Sequence, residues 1–238
     1  MTTIVVRMPR RNESRIGLSV QHSQTSRPAD PMTTGPIDFL TLALRPDGWT
    51  STRSVPTRGL MSELRALVLS TSLHPESRSR VIAKAARGEL DGLGAATSWL
   101  DCRDLQLPYM DGHSAAAHPG AIALRAALEP ADAVLLASGV YNFDVSAVAK
   151  ACVELGGKAW EGKVVCIACA TGSMVSYMAP LGFAGSLMLD FRCVIVPRFP
   201  MVTQAAVVDG AIADEPSRRR IREACEMTLR LAGALRGR

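Results

Sequence analysis

Beyond residue 60 this 238-residue chain has almost no net charge. The whole carries +5, from 27 Lys and Arg against 22 Asp and Glu. Residues 1–60 hold eight Arg, no Lys and four acids, so most of the excess lies there. The remainder is near neutral, which argues against a nucleic-acid-binding face. No secretory apolar segment precedes the six cysteines, and no apolar run approaches the roughly 20 residues that cross a bilayer. Reduced thiols, a cytoplasmic location and no membrane contact are therefore expected. No second Cys or His pair at ligand spacing accompanies Cys166-Ile-Ala-Cys169. That CxxC lies in Val164–Cys169, which reads as a strand, and strand positions three apart face opposite ways. No metal site is expected. A glycine-rich phosphate fingerprint is missing too, as is any internal repeat.

What is present begins at Met61. Residues 1–60 are rich in Arg, Ser, Thr and Pro without a sustained period, and only Phe39–Leu44 there could form a strand. Such a stretch buries too little apolar area to offset its ordering entropy. The expectation is an N-terminal extension, disordered or upstream of the true start, with a domain over 61–238. An organelle transit peptide is a third reading of the leader, against which its four acids count. After Met61 four short apolar runs appear: Ala66–Leu69, Ala133–Ala137, Val164–Ala168 and Cys193–Val196. None alternates with polar residues, as befits strands covered on both faces. Ala95–Leu100 suits an edge strand.

Helical patterns fill the gaps. Val145, Val148, Ala149, Cys152 and Val153 keep the i, i+3, i+4, i+7 rule. Ser79–Leu90 and Pro119–Leu128 read as helices, and so does Ser173–Leu187, bent or interrupted at Pro180 and Gly182. Ile221, Cys225, Thr228, Leu231, Ala232 and Leu235 form the stripe of a last helix, with Asp214-Glu-Pro-Ser as its capping segment. Five strands alternating with helices give an α/β doubly wound parallel sheet.

In such a sheet ligands bind beyond the carboxyl ends of the strands. Three loops leave strand ends there. Thr71–Ser79 offers hydroxyls, an imidazole and the free N–H groups of a helix start, which can cradle a phosphate dianion; it also reads as an ordinary Ser-rich cap. Ser138-Gly-Val-Tyr-Asn-Phe-Asp144 sets aromatics beside Gly and Asn, able to frame a flat ligand, or simply to turn the chain. Ala170-Thr-Gly-Ser173 lets backbone approach a ligand closely at Gly172, or is a plain turn.

These residues carry a resemblance. The first loop resembles the G-S-x-R-x-x-S-x-N phosphate loop of the NADPH-dependent FMN reductase family. Ser72 and Ser77 match it, His74 stands for the Arg and Ser79 for the Asn. Gly139-Val140-Tyr141-Asn142 is similar to the family's P-x-Y-N, and Asp101–Pro108 to the segment after its second strand. Gly157–Lys163 also looks familial, and the likeness runs from about Met61 to Thr203. It implies a flavodoxin-like three-layer sandwich with a five-stranded parallel sheet in the order 2-1-3-4-5. It implies an FMN-bearing oxidoreductase with NAD(P)H as co-substrate and a quinone, azo compound or free flavin as acceptor.

On that resemblance Ser72, His74, Ser77 and Ser79 would hold the phosphate. Val140, Tyr141, Asn142 and Phe143 would line the ring system, and Thr171, Gly172 and Ser173 would close its pyrimidine side. The flavin carries the chemistry, so no catalytic side chain is named. A homodimer or homotetramer is implied, with Trp160 either a contact or a core residue. The departures are Thr71 for Gly, His74 for Arg and Gly139 for Pro. An imidazole's charge depends on pH, so phosphate binding should weaken in alkali. Two other readings stay open: a flavodoxin-type electron carrier, which the near-neutral surface disfavours, and a cofactor-free interaction module on the same fold.

Overall fold

The computed structural model describes residues 64–236. The expectations for residues 1–60 fall outside the described residues. In chain order the elements are β1 (Arg65–Ser70), α1 (Arg78–Gly92), β2 (Ala96–Asp101), α2 (Cys102–Leu105), α3 (Pro119–Leu128), β3 (Ala133–Tyr141), β4 (Asp144–Val145), α4 (Ala147–Gly156), β5 (Val164–Thr171), α5 (Pro180–Phe191), β6 (Val194–Ile195), β7 (Met201–Thr203), β8 (Val207–Val208), β9 (Ala211–Ile212) and α6 (Glu215–Arg236).

The main sheet runs β2-β1-β3-β5-β6, with β7 also on β5 and β4 on β3. Every pair but β3–β4 is parallel. Taking the principal strands in sequence order, this is the expected 2-1-3-4-5. β2 is an edge strand, as its mixed composition suggested.

Two cores sandwich the sheet. Alternate residues Leu67, Leu69, Val134, Leu136, Val165 and Ile167 pack against α3, α4 and α5. Their neighbours Ala66, Val68, Ala133, Leu135, Val164 and Cys166 pack against α1 and α6. Because both faces are covered, the strands read as unbroken apolar runs. Cys169 belongs to the first core and Cys166 to the second, so the CxxC thiols point apart across the sheet. All six cysteines are free and buried.

The helices form where capping and periodicity agree. Ser77 caps α1, its hydroxyl accepting from the Arg80 N–H, and Ser146 caps α4 by accepting from Ala149 N–H. Asp214 Oδ2 accepts from Ser217 N–H at 2.9 Å ahead of α6, whose buried face includes Ile221, Cys225, Thr228 and Ala232. Each cap engages a helix-start donor, and the Ala149 N–H is shared between Ser146 Oγ and Ser146 O.

Four expectations need correction. The fifth strand is not one run over Cys193–Val196. It is two short segments, β6 against the start of β5 and β7 against its end, with Pro197 and Pro200 between them; proline cannot donate to a sheet ladder. Val145 belongs to β4, and the helix begins only after Ser146. The helix expected over 173–187 is a 3-10 segment, Met174–Met178, followed by α5, and Pro180 begins α5 rather than kinking it. Finally, the helical run Met174–Phe191 spans 18 residues with mean hydropathy 1.2, closer to a membrane-crossing length than the sequence suggested. Phe183, Ala184 and Leu187 on it nonetheless pack into the first core.

Trp160 is a core residue. It is fully buried, and its indole N–H donates to Cys152 O at 3.0 Å. The contact reading for Trp160 therefore fails: buried under α4, it has no surface to offer.

Candidate functional site

The carboxyl ends of β1, β3 and β5 open into one cleft of about 210 Å³. Its walls come from the loop between β1 and α1, the end of β3 and the end of β5. The sheet order makes these three strands neighbours, so the loops that follow them must meet.

The first loop is held from below. Thr71 N–H and Thr71 Oγ1 both donate to Ala137 O, each at 3.0 Å. Thr71 Oγ1 also lies 3.2 Å from Ser146 Oγ, and Ser138 Oγ donates to Ser146 Oγ at 3.1 Å. This buried hydroxyl chain joins the ends of β1 and β3 to the cap of α4. Thr71 is not among the described residues with positive φ, so replacing glycine there costs no backbone strain.

Above this anchor Ser72 Oγ accepts from His74 N–H at 3.3 Å, which leaves the Ser72 proton free. Ser77 and Ser79 hydroxyls are 2.9 Å apart. Since Ser77 Oγ already accepts from Arg80 N–H, one O–H of that pair remains to be given away. The N–H groups of Arg78 and Ser79 head α1, where no earlier carbonyl reaches them. Two hydroxyl protons, two backbone N–H groups and the positive end of a 15-residue helix converge. That donor set fits a phosphate dianion.

His74 is exposed, and its Nδ1 accepts from Glu76 N–H at 3.0 Å. That contact uses Nδ1 and leaves Nε2 to meet a ligand, without supplying a fixed charge. A fixed positive charge is nevertheless at hand. Arg78 is exposed, lines the cleft and has no ion-pair partner among the described residues.

At the end of β3, Tyr141 pairs with Asp144 across a two-residue hairpin. Asn142 and Phe143 at its tip have φ of 50° and 65°. Two successive positive values define a type I′ turn, the hairpin connection that matches strand twist. Asn tolerates this conformation; a bulky aromatic does so only under strain. The Tyr141 ring folds back over Gly139, where a Cβ would stand 3.0 Å from its nearest carbon. At the end of β5, Thr171 Oγ1 donates to Ser173 O at 2.8 Å and so closes the turn at Gly172.

Eight of the eleven expected site residues line the cleft: Ser72, His74, Ser77, Ser79, Val140, Tyr141, Thr171 and Gly172. Asn142, Phe143 and Ser173 do not; the first two form the hairpin tip and Ser173 lies just past the third turn. Glu76, Arg78 and Gln204 also line it and were not foreseen. Arg78 sits inside the phosphate loop and could have been noticed as its only strong cation. Gln204 follows the three-residue β7, too short to leave a pattern. Among the described residues no cluster of three or more His, Cys, Asp or Glu could hold a metal.

The model of the NADPH-dependent FMN reductase family matches residues 64–206. No curated protein matches the chain. Among solved structures, an oxidoreductase from Corynebacterium diphtheriae is 19% identical with a TM-score of 0.59, covering 73% of this chain and 98% of its own. An NADH:FMN oxidoreductase, EmoB, in its apo form is 14% identical with a TM-score of 0.58, covering 71% and 89%. FerB from Paracoccus denitrificans, described as a flavoenzyme NAD(P)H:(acceptor) oxidoreductase, is 18% identical with a TM-score of 0.54, covering 70% and 95%.

Proposed function

The chain belongs to the NADPH-dependent FMN reductase family, and from that premise we propose that its cleft holds FMN for NAD(P)H-dependent reduction of a small acceptor. FMN held there would supply the redox chemistry between NAD(P)H and the acceptor. Everything else falls to the protein: binding, orientation and exclusion of competing contacts.

The observation that carries this reading is the polarity of the cleft from end to end. One end presents the donors of Ser72, Ser77 and Ser79 and the start of α1. The other presents Val140 and Tyr141 over the glycine-bearing ends of β3 and β5. An anionic tail and a flat apolar head match those two ends. Arg78 supplies fixed charge to the phosphate, and His74 donates from Nε2, its only nitrogen left unengaged. Val140 and Tyr141 pack on the ring system, with Asn142 and Phe143 above them at the hairpin tip. Thr171, Gly172 and Ser173 bring backbone to the pyrimidine edge. The Tyr141 ring swings off Gly139 to admit the ligand; its near atoms belong to a mobile side chain, so the movement is cheap.

The acceptor is a quinone, an azo compound or free flavin, small enough to stack on an exposed ring. The protein works as a homo-oligomer; exposed Val175, Tyr177, Leu181 and Leu189 around α5 supply apolar surface for a second copy. Six free thiols suit a reducing, cytoplasmic setting.

The test is direct. Purified protein is titrated with FMN by fluorescence quenching, then assayed for NADH and NADPH oxidation with quinone, azo and free-flavin acceptors. Saturable one-site binding with acceptor-dependent oxidation is expected. Absence of FMN binding would overturn the cofactor; binding without turnover would leave an electron carrier.

A further inference from the structure

Behind the phosphate loop, off the cleft wall, lies a buried ion pair. Arg80 is 9% exposed and Asp101 6%. Arg80 Nε donates to Asp101 Oδ2 at 2.5 Å and Nη2 to Asp101 Oδ1 at 3.3 Å. The rest of the guanidinium serves the loop. Nη2 donates to Ser72 O at 2.9 Å, and Nη1 to His74 O at 2.9 Å and Pro75 O at 3.1 Å. Three carbonyls of one four-residue stretch are thus gathered around one cation. Asp101 in turn caps α2 by accepting from Arg103 N–H at 3.1 Å, so the carboxylate is itself fixed in place.

We propose that Arg80, held by Asp101, is the positioning residue that makes the first loop receptive to an anion; this rests on the FMN reading above. A loop that binds phosphate must turn its carbonyl oxygens away from it, because their dipoles repel a dianion. Arg80 draws the carbonyls of Ser72, His74 and Pro75 inward to a single point. Peptides are trans and planar, so an N–H points opposite to its C=O. With Ser72 O turned in, Leu73 N–H turns out. With Pro75 O turned in, Glu76 N–H turns out and meets His74 Nδ1. Arg80 lies in the first turn of α1, so the same residue fixes the loop's angle to the helix whose N–H groups face the ligand. A lysine cannot do this: its single ammonium lacks the planar fork that reaches a carboxylate and three carbonyls together. Asp101 cancels the buried charge, so the fixed positive field in the cleft comes from Arg78 and not from Arg80.

A structural and a positioning role separate by ligand. Riboflavin carries the same ring system as FMN and lacks the phosphate. Affinities for both are measured for wild type, Arg80→Lys and the near-isosteric Asp101→Asn, each checked by circular dichroism and thermal melting. For Arg80→Lys, FMN affinity should fall at least tenfold while riboflavin affinity changes less than threefold, so the preference for FMN collapses. Asp101→Asn should move FMN the same way by a smaller factor, and it carries the test if the lysine variant does not fold. Equal losses for both flavins, or unchanged FMN affinity in folded variants, would overturn the proposal. A wild type that binds both flavins equally would instead overturn the phosphate assignment on which it rests.

Discussion

Phe143 offers a test in which the sign of the effect is the evidence. At most positions glycine is less stable than alanine by about 0.5–1 kcal/mol, because it loses more backbone freedom on folding. At φ 65° the order should reverse. A left-handed conformation costs an L-residue roughly 1–2 kcal/mol, and glycine nothing. Set against glycine's entropy, Phe143→Gly should be more stable than Phe143→Ala by about 0.5–1 kcal/mol. Both variants delete the same ring, which is 56% exposed, so its lost contacts cancel in the comparison. For a domain of this size the difference amounts to about 1–4 °C in Tm. Matched thermal and urea melts of the two apoproteins measure it. If the alanine variant is the more stable, the type I′ turn is wrong and so is the hairpin-tip role proposed for the aromatic. FMN titration of the pair adds the functional half: both should lose affinity by a similar few-fold factor, since the ring is gone from each.

Other outcomes follow from the same geometry. Arg78→Ala should weaken FMN several-fold and flatten the salt dependence of binding, because a fixed charge facing the phosphate is removed; an unchanged salt slope would place that charge elsewhere. His74→Ala should weaken FMN a few-fold and leave riboflavin unchanged, because only the phosphate loses the Nε2 donor. Unchanged FMN affinity would exclude His74 from the phosphate. Burial pushes the Cys166 and Cys169 thiols up to about 12 and Cys193 to about 11, so they stay protonated at pH 8. The folded protein should therefore react slowly with a thiol reagent and release six equivalents once denatured. Rapid labelling of the native protein would contradict that packing.

Much of this architecture was readable in advance because it rests on local patterns. The unbroken apolar runs Ala133–Ala137 and Val164–Ala168 could only be strands covered on both sides, and α3 begins and ends at Pro119 and Leu128 as its proline and apolar spacing require. The failures share a cause. β6 and β7 are held by partners on β5, not by their own periodicity. Val145 fits a helical stripe yet pairs with Val140, because the hairpin turn at Asn142 and Phe143 overrides the stripe. The cleft was half legible. Ser72 and Ser77 stand in a spaced motif, whereas Arg80 acts through carbonyls that sequence does not order, and Gln204 arrives from a distant strand end.

The anchoring of Thr71 bears on how this protein could be redesigned. A family-average substitution would restore glycine there, and such reversions usually raise stability. Here the threonine hydroxyl reaches Ala137 O and lies beside Ser146 Oγ, both contacts buried. Removing it deletes a buried hydrogen bond worth about 1 kcal/mol and frees the unfolded chain further. Glycine would be the harmful residue at 71, because the hydroxyls of Ser138 and Ser146 form a chain that the threonine completes. A redesign of position 71 therefore has to reckon with both serines.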